Sequence, residues 1–354
     1  MNMKIQFALF LSAFLLLYIS LNSYAVLRLG GLLGIKRSIL YLIIVVVTFS
    51  IPAAMVIERF FPNALTRALY AISALWMGAL LFLFFSLLIY EAIRPFYTVP
   101  HAGIIILAAV AVLSSYSIIN AVGLSVNEVD VPVENLEKDI TIVQLSDIHA
   151  GTIRNSGFLK KIAEKTNSLD PDIVMITGDL VDASAHLHES MFSDFNKLRA
   201  PIYFVSGNHE IYEGTDKVYA LFNGTKIKVL KNEAVDFDGI QIIGIEFSQD
   251  KGHLGNELEK LKISRAKPAV LMYHSPTGLE DAKKAGIDLQ LSGHTHNGQI
   301  FPFNFFVRLA FRHIRGLYDL GGMFLYVSPG TGTWGPYMRL GSRNEITLLR
   351  LRGK

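Results

Sequence analysis

Five segments of the sequence place histidine, aspartate or asparagine directly after a short apolar run. They are Ser146–His149, Gly178-Asp179, Gly207–Glu210, His274-Ser275 and Gly293–His296. Five of the ten histidines of the chain lie in these segments. Carboxylate, imidazole and amide groups without sulfur suit divalent cations such as Mn²⁺, Fe or Zn²⁺. Any one of these residues alone would be explained as a polar loop residue, but the whole set predicts a metal centre.

Two of the histidines lie two residues apart in the segment Leu291–Ile300, whose sequence is LSGHTHNGQI. In an extended segment, residues two apart point to the same side, so His294 and His296 are predicted to reach one shared site. Gly293 and Gly298 would let the backbone turn tightly around that site.

The apolar runs before these segments predict the strands that position them. These strands are Ile140–Leu145, Ile173–Thr177, Pro201–Val205, Ala269–Tyr273 and Ile287–Leu291. Open α/β sheets bind their ligands at the carboxyl ends of parallel strands, where these polar residues occur. The five segments are therefore expected to converge on one site.

Other patterns complete the prediction of an α/β domain. Further strands are predicted at Asn127–Val133, Lys228–Leu230, Ile240–Ile245, Met323–Val327 and Glu345–Leu351, and helices near Leu187–Leu198, Leu254–Leu261 and Gly278–Ala285. Pro132 restricts the first of these strands to the edge of a sheet. Ser156 is predicted to cap a helix that runs to about Leu169.

The order and spacing of the polar segments resemble the calcineurin-like metallophosphoesterase family. The matching motifs are Asp-x-His at 147–149, Gly-Asp at 178–179, Gly-Asn-His-Glu at 207–210, a single histidine at 274 and Gly-His-Thr-His at 293–296. The tail from Gly316 to Gly341 is similar to the membrane-associated bacterial branch, which includes enzymes resembling UDP-2,3-diacylglucosamine pyrophosphatase and phospholipid phosphodiesterases. The resemblance implies a four-layer α/β/β/α sandwich with mixed sheets.

The resemblance also implies two divalent metal ions, Mn, Fe or Zn, and assigns a ligand to each motif. One metal would be held by Asp147, His149 and His296, the other by Asn208, His274 and His294, with Asp179 bridging them. A metal-bridging hydroxide would then attack phosphorus in line and break a phosphoester or pyrophosphate bond.

Four more residues near these motifs have predicted roles. His209 would hydrogen-bond the phosphoryl oxygen or protonate the leaving group. Asp182 and Glu210 are expected to support the ligands or cap a helix. Asn297 stands where this branch commonly has glycine; asparagine tolerates a left-handed backbone, so the turn is expected to survive, and its amide could alternatively reach substrate.

Charge is distributed unevenly along the chain. Residues 1–124 hold only nine charged side chains, seven of them basic, whereas the 33 Lys and Arg and 30 Asp and Glu of the whole chain leave 26 and 28 for residues 125–354. The polar part therefore has a net charge of −2, which does not suit nucleic-acid binding. Without cysteine the chain forms no disulfide and no thiolate metal site.

Four apolar stretches in residues 1–124 are long enough to cross a bilayer as helices. They are roughly Ile5–Leu27, Ser38–Ile57, Ala68–Ile93 and Ala102–Leu124. The sequence therefore predicts a four-helix transmembrane region over 1–124 and a metallophosphoesterase domain over 125–354. The protein is expected to be a multi-pass protein of a bacterial cell membrane. Because the charged residues of the stretches lie at their ends, anchoring is favoured over transport.

Two features of the membrane region leave alternatives open. Lys4, the apolar run and Ser23-Tyr24-Ala25 also fit a cleavable signal peptide. The distribution of lysine and arginine between the loops favours the non-cytoplasmic side for the polar domain, by a narrow margin.

An aromatic and basic segment, Phe301–Tyr318, follows the last histidine motif directly. One interpretation is a buried loop whose aromatic residues complete the core. The other is an interfacial element whose apolar residues enter lipid while Arg308, Arg312 and Arg315 meet phosphate head groups. The second interpretation predicts membrane lipids as partners and a lipid or lipid-linked phosphoester as substrate.

Three alternative functions follow from the same sequence. A phosphodiesterase could act on soluble substrates, an inactive membrane sensor or scaffold could retain the fold, and a four-span transporter could carry a regulatory domain. The complete ligand set argues against the inactive scaffold. No protein partner can be inferred from the sequence.

Overall fold

A computed structural model of the chain describes residues 3–183 and 185–353. The chain forms two compact units. One comprises the residues up to 119 together with 335–338, and the other comprises 120–334 together with the residues from 339 onward.

The amino-terminal part of the chain consists of four long apolar helices. They are α1 (Met3–Leu32), α2 (Arg37–Phe60), α3 (Ala64–Ile93) and α4 (Ala102–Val122). Each contains a stretch long and apolar enough to cross a membrane. The helix ends are defined by local interactions; the Asn63 side chain, for example, accepts hydrogen bonds from the backbone N–H groups of Leu65 and Thr66 at the start of α3.

Charged residues of these helices pair with one another near the helix ends. Glu91 forms ion pairs with Arg28 and with Arg94. Glu58 is buried and accepts a hydrogen bond from the Thr66 hydroxyl. Paired charges at helix ends fit the predicted anchoring role better than an ion pathway.

The second unit contains twelve strands in two sheets. The strands are β1 (Leu124–Val133), β2 (Ile140–Leu145), β3 (Ile173–Thr177), β4 (Ile202–Val205), β5 (Ile227–Val229), β6 (Glu233–Phe237), β7 (Ile240–Gly244), β8 (Ala269–Met272), β9 (Leu289–Ser292), β10 (Gly316–Asp319), β11 (Phe324–Val327) and β12 (Asn344–Gly353). The strand order is β1-β12-β2-β3-β4-β5 in one sheet and β10-β11-β9-β8-β7-β6 in the other. Both sheets are mixed: β2, β3 and β4 run parallel, as do β7, β8 and β9, whereas β12 and β2 are antiparallel.

Helices connect the strands, and several of them pack on the outer faces of the sheets. They are α5 (Ser156–Ser168), α6 (Asn208–Glu213), α7 (Thr215–Ala220), α8 (His253–Lys260), α9 (Leu279–Ala285) and α10 (Asn304–Ala310), together with two 3₁₀ helices, Glu189–Lys197 and His296–Gly298. The longer of these helices are amphipathic and pack their apolar side against a sheet, as Leu159 and Ile162 of α5 illustrate.

Alternation along the strands produces the layers. In β2, Ile140 and Ile142 join a cluster between the two sheets, whereas Val143 and Leu145 join a second cluster under α5. A third cluster packs Leu254 of α8 and other apolar residues against the far face of the second sheet. The predicted four-layer α/β/β/α sandwich, preceded by apolar helices, is therefore confirmed.

Several local predictions need correction. Asn155, not Ser156, caps α5, because its side chain accepts a hydrogen bond from the Gly157 N–H at 3.0 Å. The helix predicted near Leu187–Leu198 is a 3₁₀ helix. The sequence analysis missed β6, β10, α6, α7 and α10, none of which carries an apolar run that is buried on both sides.

Candidate metal centre

The polar residues that follow β2, β3, β4, β8 and β9 meet at one edge of the sandwich. Seven carboxylate and imidazole side chains form three overlapping groups, and the ligand atoms within each group lie within 4.8 Å of one another. The groups are Asp147, His149 and His296; His149, Asp179 and His209; and Asp179, His274 and His294. Five strand ends therefore converge because parallel strands share one carboxyl edge.

The first group brings together three ligand atoms in a buried pocket. Nε2 of His149 lies 3.0 Å from Nε2 of His296, and Nε2 of His296 lies 3.4 Å from Oδ1 of Asp147. The other oxygen of Asp147 accepts a hydrogen bond from the Ser146 hydroxyl at 2.6 Å. These are the three residues that the sequence analysis assigned to one metal.

The third group, together with Asn208, contains the ligands predicted for the other metal. Nε2 of His274 lies 3.1 Å from Nδ1 of His294 and 3.2 Å from Oδ1 of Asn208. Nδ1 of His274 lies 2.8 Å from the Thr177 carbonyl oxygen, to which it can donate. That hydrogen bond places the proton on Nδ1 and leaves Nε2 free to bind a cation.

Asp179 lies between the ligands of the first group and those of the third group. Its Oδ2 atom is 3.3 Å from Nε2 of His274 and 3.9 Å from Nε2 of His149. Its Oδ1 atom accepts a hydrogen bond from the backbone N–H of His209 at 2.9 Å. The carboxylate therefore faces one ligand from each group, as a bridging ligand must.

The backbone at the centre is strained. Asp147, His149, Asp179, His294 and His296 have φ between 50° and 70°, in the left-handed region that non-glycine residues rarely adopt. Such conformations cost of order 1–3 kcal/mol each and cluster at functional sites. They also overturn the prediction that His294 and His296 lie in an extended segment; the two imidazoles still reach one centre, in the different groups to which the resemblance assigned them.

Two glycines allow close approach at the centre rather than a turn. A Cβ at Gly293 would overlap the side chains of Ser146 and Asp147, and a Cβ at Gly207 would overlap the carboxylate of Asp179. Gly298, by contrast, has φ of 70° and permits the turn predicted for it.

The pKa values at the centre are shifted by burial and by the charge interaction between Asp179 and His274. Burial raises the pKa of Asp147 to about 6 and lowers the pKa of His294 to about 4. Burial also acts to lower the pKa of His274, but the negative charge of Asp179 outweighs it and raises that pKa to about 10. Without a cation, the protonated imidazole of His274 balances the carboxylate of Asp179.

The residues present fit a pair of divalent cations. Carboxylate and imidazole atoms from different loops point at common positions, and the donor set contains no sulfur. Nδ1 of His149 and Nδ1 of His296 are buried without a hydrogen-bond partner, whereas Nε2 of each ring faces the other candidate ligands. The cations would be held by Asp147, His149 and His296 and by Asn208, His274 and His294, with Asp179 between them.

His209 lies beside the ligands and is almost buried. The backbone N–H of Ala183 lies 3.4 Å from its Nδ1, and Oδ1 of Asp182 lies 3.8 Å from the same atom. A neutral ring that accepts at Nδ1 carries its proton on Nε2. Its position next to Asp179 also makes His209 a potential metal ligand, a role the sequence analysis did not assign to it.

Glu210 has the capping role that the sequence analysis expected. Its buried carboxylate accepts hydrogen bonds from the backbone N–H groups of Gly207 at 2.6 Å, Asp179 at 2.9 Å and Val181 at 3.1 Å. It thereby ties the loop after β3 to the start of α6. Burial and the neighbouring charge of Asp179 raise its pKa to about 7.

The four residues predicted to contact substrate lie in the 3₁₀ helix His296–Gly298, in α10 and in the segment that follows α10. Asn297 has φ of 52° and ψ of 31°, so the expected left-handed turn is present. Arg308 and Arg312 are exposed. Arg315 lies 3.4 Å from the buried carboxylate of Glu345, which occupies its guanidinium. Substrate contact by these four residues stays a prediction.

The aromatic residues of the Phe301–Tyr318 segment do not complete the core. Phe301, Phe303, Phe305 and Phe306 are 47–58% exposed, and Leu309 is 86% exposed. The interpretation of a buried loop is therefore wrong for these five residues, which we call the aromatic surface. Phe311, by contrast, packs its ring against that of His294, with centroids 5.2 Å apart.

The sequence analysis missed several residues around the centre. Phe247 lies against the rings of His274 and His294, and the exposed Trp334 lies 6.0 Å from the ring of His209. Gln299 fastens Trp334 by two backbone hydrogen bonds of 3.0 Å. Gln299, which lies in the histidine segment Leu291–Ile300, was the sequence signal for the contact with Trp334. Nothing in the sequence connects Phe247 to the metal centre.

Arg339 was also missed, although it is fully buried next to the centre. Its guanidinium donates to the carbonyl oxygens of Pro329 at 2.7 Å and Gly332 at 2.6 Å, and to Oδ1 of Asn344 at 2.8 Å. Burial lowers its pKa to about 9. The arginine organises the loop after β11, against which His296 packs.

Comparison with known proteins supports the interpretation of the site. Residues 140–298 match the model of the calcineurin-like phosphoesterase family. An uncharacterized metallophosphoesterase of Campylobacter jejuni is 40% identical over 65% of this chain and 63% of its own length. A Bos taurus transmembrane protein with a metallophosphoesterase domain is 37% identical over 68% of this chain and 60% of its own length.

A third relative matches over nearly its whole length. An uncharacterized metallophosphoesterase of Aquifex aeolicus is 32% identical over 68% of this chain and 97% of its own length. The chain thus spans less than two thirds of the Campylobacter and Bos relatives but almost all of the Aquifex one. With the strand-end ligand groups in the order of the family's motifs, the chain belongs to the calcineurin-like phosphoesterase family.

Proposed function

We propose that this protein hydrolyses a phosphoester or pyrophosphate bond at a centre of two divalent cations. One observation carries the proposal: Asp179 faces a ligand from each of two groups that otherwise contain the predicted ligands of separate metals. When bound, the two cations supply Lewis acidity that stabilises the charge on a phosphoryl group and lowers the pKa of water.

The protein's own residues position these parts and handle the proton. His149, His274 and the other ligands hold fixed directions because strained backbone and buried hydrogen bonds determine their orientation. His209 presents an Nε2–H beside the ligands, which can donate to a phosphoryl oxygen or to the leaving group.

Hydrolysis of bis-p-nitrophenyl phosphate by the purified full chain tests this activity. The chain is stripped with a chelator and then assayed with Mn²⁺, Zn²⁺ or Fe²⁺ added back. We expect release of p-nitrophenol only after add-back of at least one cation. A chain that binds cations at these ligands but releases no product from this or any other phosphoester would support the inactive scaffold instead.

For the substrate we propose a lipid or lipid-linked phosphoester, and for the location a multi-pass membrane protein. Two observations support this: the four apolar helices, and the aromatic surface, whose exposed phenylalanines would be costly in water. Arg308 lies in α10, the helix that carries Phe305 and Phe306, and Arg312 lies two residues beyond the end of that helix. Arginine at these positions can meet lipid phosphate. We retain the non-cytoplasmic side as the proposed side of the catalytic unit.

Vesicle assays test the lipid proposal. We expect Phe305→Ser with Phe306→Ser to lower hydrolysis of a phospholipid in vesicles by about tenfold or more, since two exposed phenylalanines supply roughly 1.5–3 kcal/mol each when fully buried. Hydrolysis of bis-p-nitrophenyl phosphate serves as the internal reference. Phe96→Ser, a substitution of an exposed phenylalanine in the loop after α3, is the matched control. Equal loss on both substrates would contradict a role in lipid contact.

A further inference from the structure

A cavity of ≈ 650 Å³ is lined by segments that are linked to His274 and His294 of the metal centre. It is lined by residues 276–280 and 310–313, together with Lys283, Asp319 and Leu320. The first of these segments begins two residues after His274, and the second contains Phe311, whose ring contacts His294. A group bound in the cavity would therefore lie next to the proposed reaction site.

The cavity lining also includes the end of the helix that carries part of the aromatic surface. Ala310, the last residue of α10, lines the cavity, and Phe305, Phe306 and Leu309 precede it in that helix. The Thr295 hydroxyl donates to the Ile314 carbonyl oxygen at 2.7 Å, which fastens the segment to the loop of His294 and His296. One short stretch of chain therefore connects the exposed apolar surface, the cavity and the metal ligands.

Four charged side chains line the cavity, two of each sign. They are the cations of Lys283 and Arg312 and the carboxylates of Glu280 and Asp319. Within the residues that the structure describes, none of the four forms an ion pair. Lys283 donates only to the Leu320 carbonyl oxygen at 3.2 Å, and Asp319 accepts from the Gly321 N–H at 2.9 Å.

His313 adds no further charge near neutral pH. Burial and the neighbouring Arg312 lower its pKa, and its ring packs against that of Tyr318 with centroids 4.5 Å apart. The lining therefore offers two cations and two anions with no net charge. A purely anionic or purely cationic ligand would leave two of these side chains facing a like charge.

We propose that the cavity binds a zwitterionic head group, one that carries an ammonium and an acidic group, as the part of the substrate beyond the scissile phosphorus. The ammonium would pair with Glu280 and Asp319, and the acidic group with Lys283 and Arg312. The role as a substrate subsite rests on the proposed function. It narrows the substrate class to amphiphiles with a zwitterionic head group.

Calorimetry with two soluble head-group diesters tests the cavity without requiring turnover. The probes are glycerophosphoserine, which is zwitterionic beyond its phosphate, and glycerophosphoglycerol, which is neutral there. Each is titrated into the full chain in detergent micelles with EDTA present. We expect glycerophosphoserine to bind at least about tenfold more tightly, the effect of one hydrogen bond to a charged group.

Substitutions locate the preference. Arg312→Gln and Glu280→Gln should each reduce the ratio of the two affinities by about tenfold. Lys284→Gln, next to Lys283 on α9 but outside the cavity lining, should leave the ratio unchanged. Equal affinities, no binding of either probe, or an equal effect of the control would overturn the proposal.

The result is distinguishable from failure of the proposed function. A head-group preference in EDTA without hydrolysis of any diester after metal add-back would contradict the phosphoesterase and leave the binding site. Hydrolysis of bis-p-nitrophenyl phosphate without a head-group preference would contradict the cavity proposal alone.

Discussion

Strain at the ligand residues is the clearest mark of function at the scale of single residues. Five of the residues assigned to the metals adopt left-handed backbone conformations that only surrounding structure can maintain. Neighbouring glycines make room for them, as Gly293 does for the side chain of Asp147. The centre therefore depends on residues that bind nothing themselves.

Gly293→Ala should impair metal binding. Its Cβ would overlap the Ser146 hydroxyl and the Asp147 carboxylate, both of which are buried and cannot move freely. We expect the affinity of the site formed by Asp147, His149 and His296 to fall at least tenfold, measured by metal titration. Gly123→Ala is the control, because no atom lies within 4 Å of its added Cβ. Unchanged affinity in Gly293→Ala would contradict the ligand role of Asp147.

His209→Asn should separate proton transfer from metal binding. Loss of a positioned general acid typically costs 10²–10⁴-fold in rate, so we expect kcat to fall by about that factor. The metal content, measured by elemental analysis, should remain that of the wild type. Loss of one metal together with activity would instead make His209 a ligand, which its position beside Asp179 allows.

The residues that serve as metal ligands could be predicted because each of them follows a strand that an apolar run in the sequence indicates. Their backbone conformations could not, since the left-handed φ of His294 depends on packing against distant loops. Phe247 and Trp334 escaped prediction for the same reason: aromatic residues are common in cores, and only tertiary contact places these two beside histidines.

The loops that follow the strands act as connected elements. Glu210 joins the loop after β3 to the start of α6 through three backbone hydrogen bonds, so two of the five ligand-bearing loops are held by one carboxylate. The edge where they meet is determined by sheet topology. Parallel pairing of β2 with β3 and of β3 with β4 brings their carboxyl ends side by side.

Glu210→Ala should destabilise the second unit. Three buried N–H groups would lose their acceptor, and each unsatisfied group costs about 1–3 kcal/mol unless water replaces it. We expect a loss of at least about 1 kcal/mol in the free energy of unfolding, measured by denaturant titration of the metal-free chain. Glu164→Ala, whose side chain is 64% exposed on α5, should change it by less than about 0.5 kcal/mol. Equal effects would contradict the connecting role of Glu210.

Elements that are buried on both faces were predictable, and elements with exposed faces were not. The strands β2, β3, β4, β8 and β9 are buried on both faces and read as apolar runs. The helix α10 has no buried residue, so no periodic apolar face pointed to it. Its phenylalanines had indicated either a core or an interface, and their exposure decides against the core.

The whole molecule combines four apolar helices with a metallophosphoesterase sandwich. Both parts were visible in the sequence. The apolar runs of residues 1–124 are long enough to cross a bilayer as helices, whereas the apolar runs that follow have only the length of buried strands. The net charge of −2 on residues 125–354 was the basis for predicting a substrate other than nucleic acid, which stays a prediction. The central claim for the whole molecule is the two-cation centre that Asp179 connects.

Metal stoichiometry measured together with hydrolysis tests that claim most directly. The full chain, purified and equilibrated with a divalent cation that supports activity, is analysed for bound metal and for hydrolysis of bis-p-nitrophenyl phosphate, beside Asp179→Ala. We predict two cations per chain in the wild type, fewer than two in the variant, and a loss of activity of at least about a thousandfold. Full activity with one cation per chain, or an active Asp179→Ala variant, would contradict it.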